Sequence, residues 1–148
     1  MPAFPARPNV GWIGPDEQGS AEPITSANAA HYTWGSDCDG WRLVDAAGLS
    51  VIEERMPPDT AEDWHTHDFA QQFFYVLDGQ AIMRTPAGAV VLPARSGFRV
   101  APGTPHLITN AGTQDLRFLV VSTPSTRGDR RTAVPDKEGQ GTTLDDQR

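Results

Sequence analysis

Short β-prone runs recur every 8 to 12 residues through the middle of this chain, each closed by turn residues. No other feature limits the fold as much. The runs are Trp41–Asp45, Leu49–Met56, Phe73–Leu77, Gln80–Arg84, Ala89–Leu92, Phe98–Ala101, His106–Thr109 and Leu116–Ser122. The breaks between them are rich in Gly, Pro, Asn and Asp, as at Pro57-Pro58-Asp59, Pro86-Ala87-Gly88 and Pro102-Gly103. Asp78-Gly79 between two runs reads as a hairpin, because Asp-Gly accepts the positive φ of a tight two-residue turn. No long helical period competes. Short strands with tight turns predict an all-β sandwich or barrel. The length of 148 residues fits one domain with its own core. That domain is assigned to residues 31–130. Residues 1–30, rich in Pro, Ala, Gly and Ser, read as an N-terminal arm with at most one short element. Residues 131–148, polar and of mixed charge, read as a C-terminal tail.

Three of the four histidines fall into this strand pattern. His65 and His67 are two residues apart, so in an extended segment both imidazoles share one face. Gln72 has the parity of Phe74 and Val76 on the next strand and can join them, whereas Gln71 points the other way. His106 opens a later strand after Pro102-Gly103, with Ile108 and Asn110 on its face. Three neutral imidazoles and one amide oxygen suit Mn, Fe, Co, Ni, Cu or Zn rather than Ca or Mg, which favour all-oxygen shells. One divalent transition metal held by His65, His67, Gln72 and His106 is the expected cofactor.

The same residues carry a resemblance. Residues 59–79 resemble cupin motif one, Gly-x5-His-x-His-x4-Glu-x6-Gly, and residues 95–110 resemble motif two, Gly-x5-Pro-x-Gly-x2-His-x3-Asn. The chain is thereby similar to small single-domain bacterial cupins over about residues 45–124. The resemblance implies a jelly-roll β-barrel with the metal inside, and a homodimer. Four positions depart from the motifs. Asp59 and Arg95 replace turn glycines, and Asp tolerates left-handed φ better than Arg, so the turn at Arg95 is expected to differ in shape. Ala101 replaces a proline, and Gln72 replaces the usual Glu. Cupins similar to unsaturated-uronate ring-opening enzymes and to hydroxynitrile lyases carry this Gln and bind metal.

Gln72 alters the chemistry expected of the site. A Glu ligand would bring a negative charge and a built-in base, and Gln brings neither. The metal keeps its full charge and acts as a stronger Lewis acid. Two remaining coordination positions suit a hydroxy-acid, a keto-acid or a diol, or O2 beside substrate. The base must come from elsewhere, and Tyr75, Glu54, Tyr32 and His31 are the candidates. One face of the Leu49–Met56 run points inward, carrying either Glu54 or Arg55, and an inward Arg55 would hold a substrate carboxylate. Arg99 and Arg117 pose the same question on their strands. Phe74, Val76, Phe98 and Ile108 are expected in the core. Trp64, of opposite parity to His65, is expected to pack outside, and Tyr32, Trp34 and Trp41 to cover the barrel mouth or an interface.

A metal-dependent enzyme acting on a small polar molecule follows, by O2-dependent oxidation or by Lewis-acid lyase or isomerase chemistry. A metal-containing binding or sensing protein and a metal-free sugar isomerase or epimerase are the alternatives. The net charge of −7 argues against a nucleic-acid partner. No apolar run approaches the roughly 20 residues of a membrane helix, and residues 1–8 lack the apolar core of a signal peptide. The single cysteine, Cys38, suits a reducing compartment. A cytoplasmic location is expected, with Cys38 as a small core residue rather than a reactive thiol.

Overall fold

A computed structural model describes residues 22–133. The arm up to residue 21 and the tail from residue 134 lie outside the described residues. Twelve strands form in chain order: β1 (Ala30–Trp34), β2 (Cys38–Asp45), β3 (Ser50–Met56), β4 (Thr60–Ala61), β5 (His65–Thr66), β6 (Gln71–Asp78), β7 (Gln80–Thr85), β8 (Gly88–Pro93), β9 (Gly97–Val100), β10 (Leu107–Asn110), β11 (Leu116–Thr123) and β12 (Arg131–Thr132). A six-stranded sheet runs β1-β2-β3-β11-β6-β9, a four-stranded sheet runs β4-β10-β7-β8, and β12 pairs with β5. All pairings are antiparallel, and the described residues form no helix. The chain is an all-β jelly-roll barrel.

The alternation of each strand decides what faces inward. Along β3, Ser50, Ile52, Glu54 and Met56 are buried, while Val51, Glu53 and Arg55 are half-buried on the other face. Leu116, Phe118, Val120 and Ser122 of β11 and Gln72, Phe74 and Val76 of β6 do the same. Backbone register sets these in rows across the sheet: Ile52 beside Val120 beside Phe74, and Ser50 beside Ser122 beside Gln72. One end of the barrel is therefore filled by Met56, Val76, Leu116 and Phe118, against Met83 and Ile108. The other end carries the polar residues. Burying this apolar set drives closure, since a fully buried aliphatic or aromatic side chain contributes about 1.5–3 kcal/mol. Phe74, Val76, Ile108, Phe98 and Cys38 belong to this core, as expected.

Two turns and one segment of the tail differ from the sequence reading. Asp78-Gly79 is not a hairpin: β6 belongs to the large sheet and β7 to the small one, so this turn carries the chain between sheets. Gly79, at φ 81°, passes so close to β11 that a Cβ would lie 2.7 Å from the Asp115 carbonyl oxygen. The hairpins lie instead at β1–β2, β2–β3 and β7–β8. Arg95 keeps the left-handed shape of the glycine it replaces, with φ 70° against 63° at Asp59. Local bonds offset its cost of about 1–2 kcal/mol. The Arg95 N–H donates to the Val76 carbonyl at 2.8 Å, and both N–H and hydroxyl of Ser96 donate to the Pro93 carbonyl. Finally, Arg131 and Thr132, assigned by sequence to the tail, pair with Thr66 and His65.

Candidate metal centre

Backbone pairing brings two histidines together before any side chain acts. The His65 N–H donates to the His106 carbonyl at 3.2 Å, and the His106 N–H to the His65 carbonyl at 3.0 Å. Residues that exchange both bonds project side chains to the same face, and the two ring centroids lie 4.2 Å apart. His67 adds a third ring on the same side, 5.0 Å from His65 and 5.7 Å from His106. One ring nitrogen from each can be chosen so that all lie within 4.8 Å of one another. All three histidines are buried.

Their second nitrogens fix the tautomers. Each Nδ1 lies against a backbone carbonyl: His65 on Asp63 at 2.8 Å, His67 on Asp129 at 2.7 Å and His106 on Thr104 at 2.8 Å. A carbonyl only accepts, so each Nδ1 carries the proton and each Nε2 keeps its lone pair. Burial, the largest cause in every case, pushes all three imidazoles below their usual titration range, His65 well below and His106 to about 4. The Arg130 charge pushes each the same way, while the carbonyls oppose it. Three neutral imidazoles with inward lone pairs are the form that binds a transition metal.

Gln72 completes the set. Its amide nitrogen donates to the Ser122 hydroxyl at 3.1 Å, which leaves Oε1 3.0 Å from His106 Nε2. Two lone-pair donors that close repel unless a cation lies between them. Ligand bonds of about 2.1 Å at right angles would place two donor atoms about 3.0 Å apart. The residues present therefore fit a divalent metal.

Around the histidines, the cavity wall is made by Ile52, Glu54, Val120, Ser122, Thr126 and Arg130. It is narrow, about 10 Å³, the space of one water. Glu54 is fully buried, and the Tyr32 hydroxyl donates to its Oε1 at 3.5 Å. Tyr32 reaches inward across Gly40, where a Cβ would lie 2.2 Å from the ring. Arg130 is 6% exposed, its Nη1 lying 3.8 Å from Glu62 Oε2.

Of the sequence candidates for base or carboxylate holder, Glu54 lines this cavity and Tyr32 reaches Glu54, and the others do neither. Tyr75 shares the outer face with Phe73, their rings stacked at 6.3 Å. Arg55 also faces outward, correcting its assignment as a carboxylate holder: it donates to Asp39 at 2.6 Å and to Asp115 at 3.3 Å. His31 lies exposed against Asp39 at 2.7 Å, Arg99 bonds Gln71, and Arg117 bonds Glu53. Period-two alternation explains all five, since each sits one residue from an inward position. Trp64 is half-buried. Sequence reasoning missed Thr126, Asp129 and Arg130. Their only signal is Arg127-Gly-Asp-Arg-Arg131, a charged run that reads as the end of the barrel rather than its wall.

A cupin-domain family profile matches residues 52–122. No curated protein sequence matches the chain. Among solved structures, a predicted oxalate decarboxylase from Thermotoga maritima superposes with TM-score 0.64 at 18% identity, covering 69% of this chain and 98% of that one. A cupin-superfamily sugar phosphate isomerase from Silicibacter pomeroyi gives 0.67 at 15%, covering 84% and 92%. A polyketide cyclase from Streptomyces resistomycificus gives 0.67 at 18%, covering 80% and 89%. At these identities the likeness establishes the shared fold.

Proposed function

For a chain that belongs to the cupin superfamily, we propose a divalent-metal enzyme that moves a proton on a small polar organic anion, in lyase or isomerase chemistry. The observation that carries this reading is Glu54, a fully buried carboxylate on the wall of the cavity that His65, His67 and Gln72 also line. Gln72 supplies no base, and Glu54 supplies one. Oxygen-dependent oxidation at the same centre has no evident use for it.

His65, His67, His106 and Gln72 would hold the metal. When bound, it polarises a substrate carbonyl or hydroxyl and stabilises the negative charge left there after proton loss. The Glu54 carboxylate takes the proton, and the Tyr32 hydroxyl donates to its Oε1. Tyr32 holds the carboxylate in place, and Glu54 gives the proton back to the substrate on the return step. Ile52 and Val120 keep bulk water off it. Arg130 brings a buried cation to the wall, suited to one carboxylate of the substrate.

The test runs without oxygen. Protein loaded with Mn²⁺, Co²⁺ or Zn²⁺ is mixed in D2O with 2-oxo acids, 2-hydroxy acids and 1,3-dicarbonyl compounds, and deuterium uptake is followed by proton NMR. Metal-dependent exchange is expected, lost at least a hundredfold in Glu54→Gln while the metal stays bound. Turnover only when O2 is admitted would overturn the reading in favour of oxidation. Binding of these compounds without exchange would overturn it in favour of a binding protein.

A further inference from the structure

We infer that Asp129 is a positioning residue for the metal centre and that segment 126–133 is a strap completing it. This rests on reading His65, His67 and His106 as metal ligands.

Asp129 acts twice. Its carboxylate accepts from three successive backbone N–H groups: Asp68 at 2.8 Å, Phe69 at 3.1 Å and Ala70 at 3.0 Å. An anion held by three amides fixes the loop that leaves His67. Its own carbonyl then accepts from His67 Nδ1 at 2.7 Å, 62 residues away in sequence. One residue thus sets both the backbone after the ligand and the ligand's tautomer.

The rest of the strap presses it into this position. The Asp129 N–H donates to the Thr126 carbonyl at 2.9 Å, closing a turn through Gly128 at φ 69°. Arg131 and Thr132 then pair with Thr66 and His65, and the Ala133 N–H donates to the Trp64 carbonyl at 2.9 Å. The strap therefore touches two of the three histidines through backbone alone. Asp129 itself is 8% exposed, and its bonds are shielded from water. If it lets go, His67 loses its Nδ1 acceptor. The ring can then turn, and Nε2 is no longer held as the free lone pair. Loss of such a supporting partner typically lowers metal affinity about 10–100-fold.

The experiment titrates full-length protein with Co²⁺ alone, reading affinity by chelator competition and geometry from the visible d–d absorption. Asp129→Ala is expected to bind about 10–100-fold more weakly, with an altered absorption band. Asp129→Asn keeps one accepting oxygen but turns an NH2 group toward backbone donors, and should weaken binding severalfold. Arg99→Ala removes only an exposed hydrogen bond to Gln71 (3.0 Å) on the outer face, and should bind within about threefold of wild type. If Asp129→Ala does not fold, Asp129→Asn decides. Wild-type affinity and spectrum in the folded Asp129 variants, with only a lower melting temperature, would overturn the inference. Failure of the wild type itself to bind Co²⁺ would overturn the metal reading beneath it.

Discussion

Lowering the pH below about 6.5 should destabilise the metal-free protein through its buried histidines. The unfolded chain has ordinary histidines near 6.5, whereas folded His106 titrates near 4 because burial opposes its charge. A depressed histidine means that the unfolded state binds more protons between those values. Stability is thus full above about pH 6.5 and falls as pH drops toward 4. The slope for one such group is about 1.4 kcal/mol per pH unit. From pH 6.5 to 5, His106 alone removes about 2 kcal/mol. His65, shifted well below 6.5 by burial and by its histidine neighbours and Arg130, acts in the same direction. The loss from His106 alone is already a large part of the roughly 5–15 kcal/mol that holds a domain folded, and His65 adds to it. His67, also lowered, adds to the loss. Urea unfolding of chelator-treated protein, followed by tryptophan fluorescence at pH 7, 6 and 5, measures this. The midpoint should fall steeply over that range, and His106→Asn should flatten the slope. A midpoint that is constant or rises toward pH 5 would refute the claim that these imidazoles are neutral in the fold.

Metal should oppose this loss: at a hundred times Kd, Zn²⁺ adds about 2.7 kcal/mol at pH 7, shrinking toward pH 5 as protons compete, measurable as a melting-temperature difference. Gln72→Glu should keep the metal and bind it more tightly, but lower the proton-exchange rate by adding charge at the ligand; identical kinetics would defeat the Lewis-acid argument. Tyr75→Phe and Arg55→Gln, both on the outer face, should leave metal occupancy unchanged by elemental analysis, against near-total loss in His67→Ala. Phe74→Ala should cost about 3–5 kcal/mol in urea unfolding, since its ring is buried between Phe118 and His106.

Much of this was legible because strand alternation is a rigid code. Parity alone put Gln72 inward and Gln71 outward, and put either Glu54 or Arg55 inside without saying which. Deciding between the latter two needed the neighbours: Arg55 has carboxylates waiting outside at Asp39 and Asp115, whereas Glu54 meets Tyr32 across Gly40. Asp78-Gly79 misled because local turn chemistry is the same whether the next strand returns alongside or crosses to another sheet. The pairing partner decides, and it comes from far along the chain. Asp129 and Arg130 were illegible for a related reason. Nothing local marks a charged loop as a wall, and its role depends on reaching a histidine 62 residues earlier.

The exchange of Glu for Gln at position 72 and the burial of Glu54 belong together. A carboxylate at position 72 would share the narrow cavity with that of Glu54, and two like charges in one small site disfavour each other's ionisation. It would also neutralise half the charge of a divalent ion and weaken its pull on a substrate oxygen. With a neutral amide, pinned by Ser122 and facing His106, the ligand set carries no charge. The carboxylate beside the centre belongs instead to a side chain that the ligand set does not use. A base bound to the metal is a poor base, because its lone pair is engaged. In the proposed reaction, a carboxylate on the cavity wall rather than in the ligand shell separates the two tasks: the amide and imidazoles would hold the ion, and Glu54 would be left to take the proton. A Gln72→Glu/Glu54→Gln double variant checks this argument. It restores the number of carboxylates but returns the charge to the ligand shell. It should bind metal at least as tightly as wild type and exchange protons no faster than Glu54→Gln alone. Recovery of wild-type exchange would show that the cavity needs one carboxylate anywhere, and the argument from placement would fail.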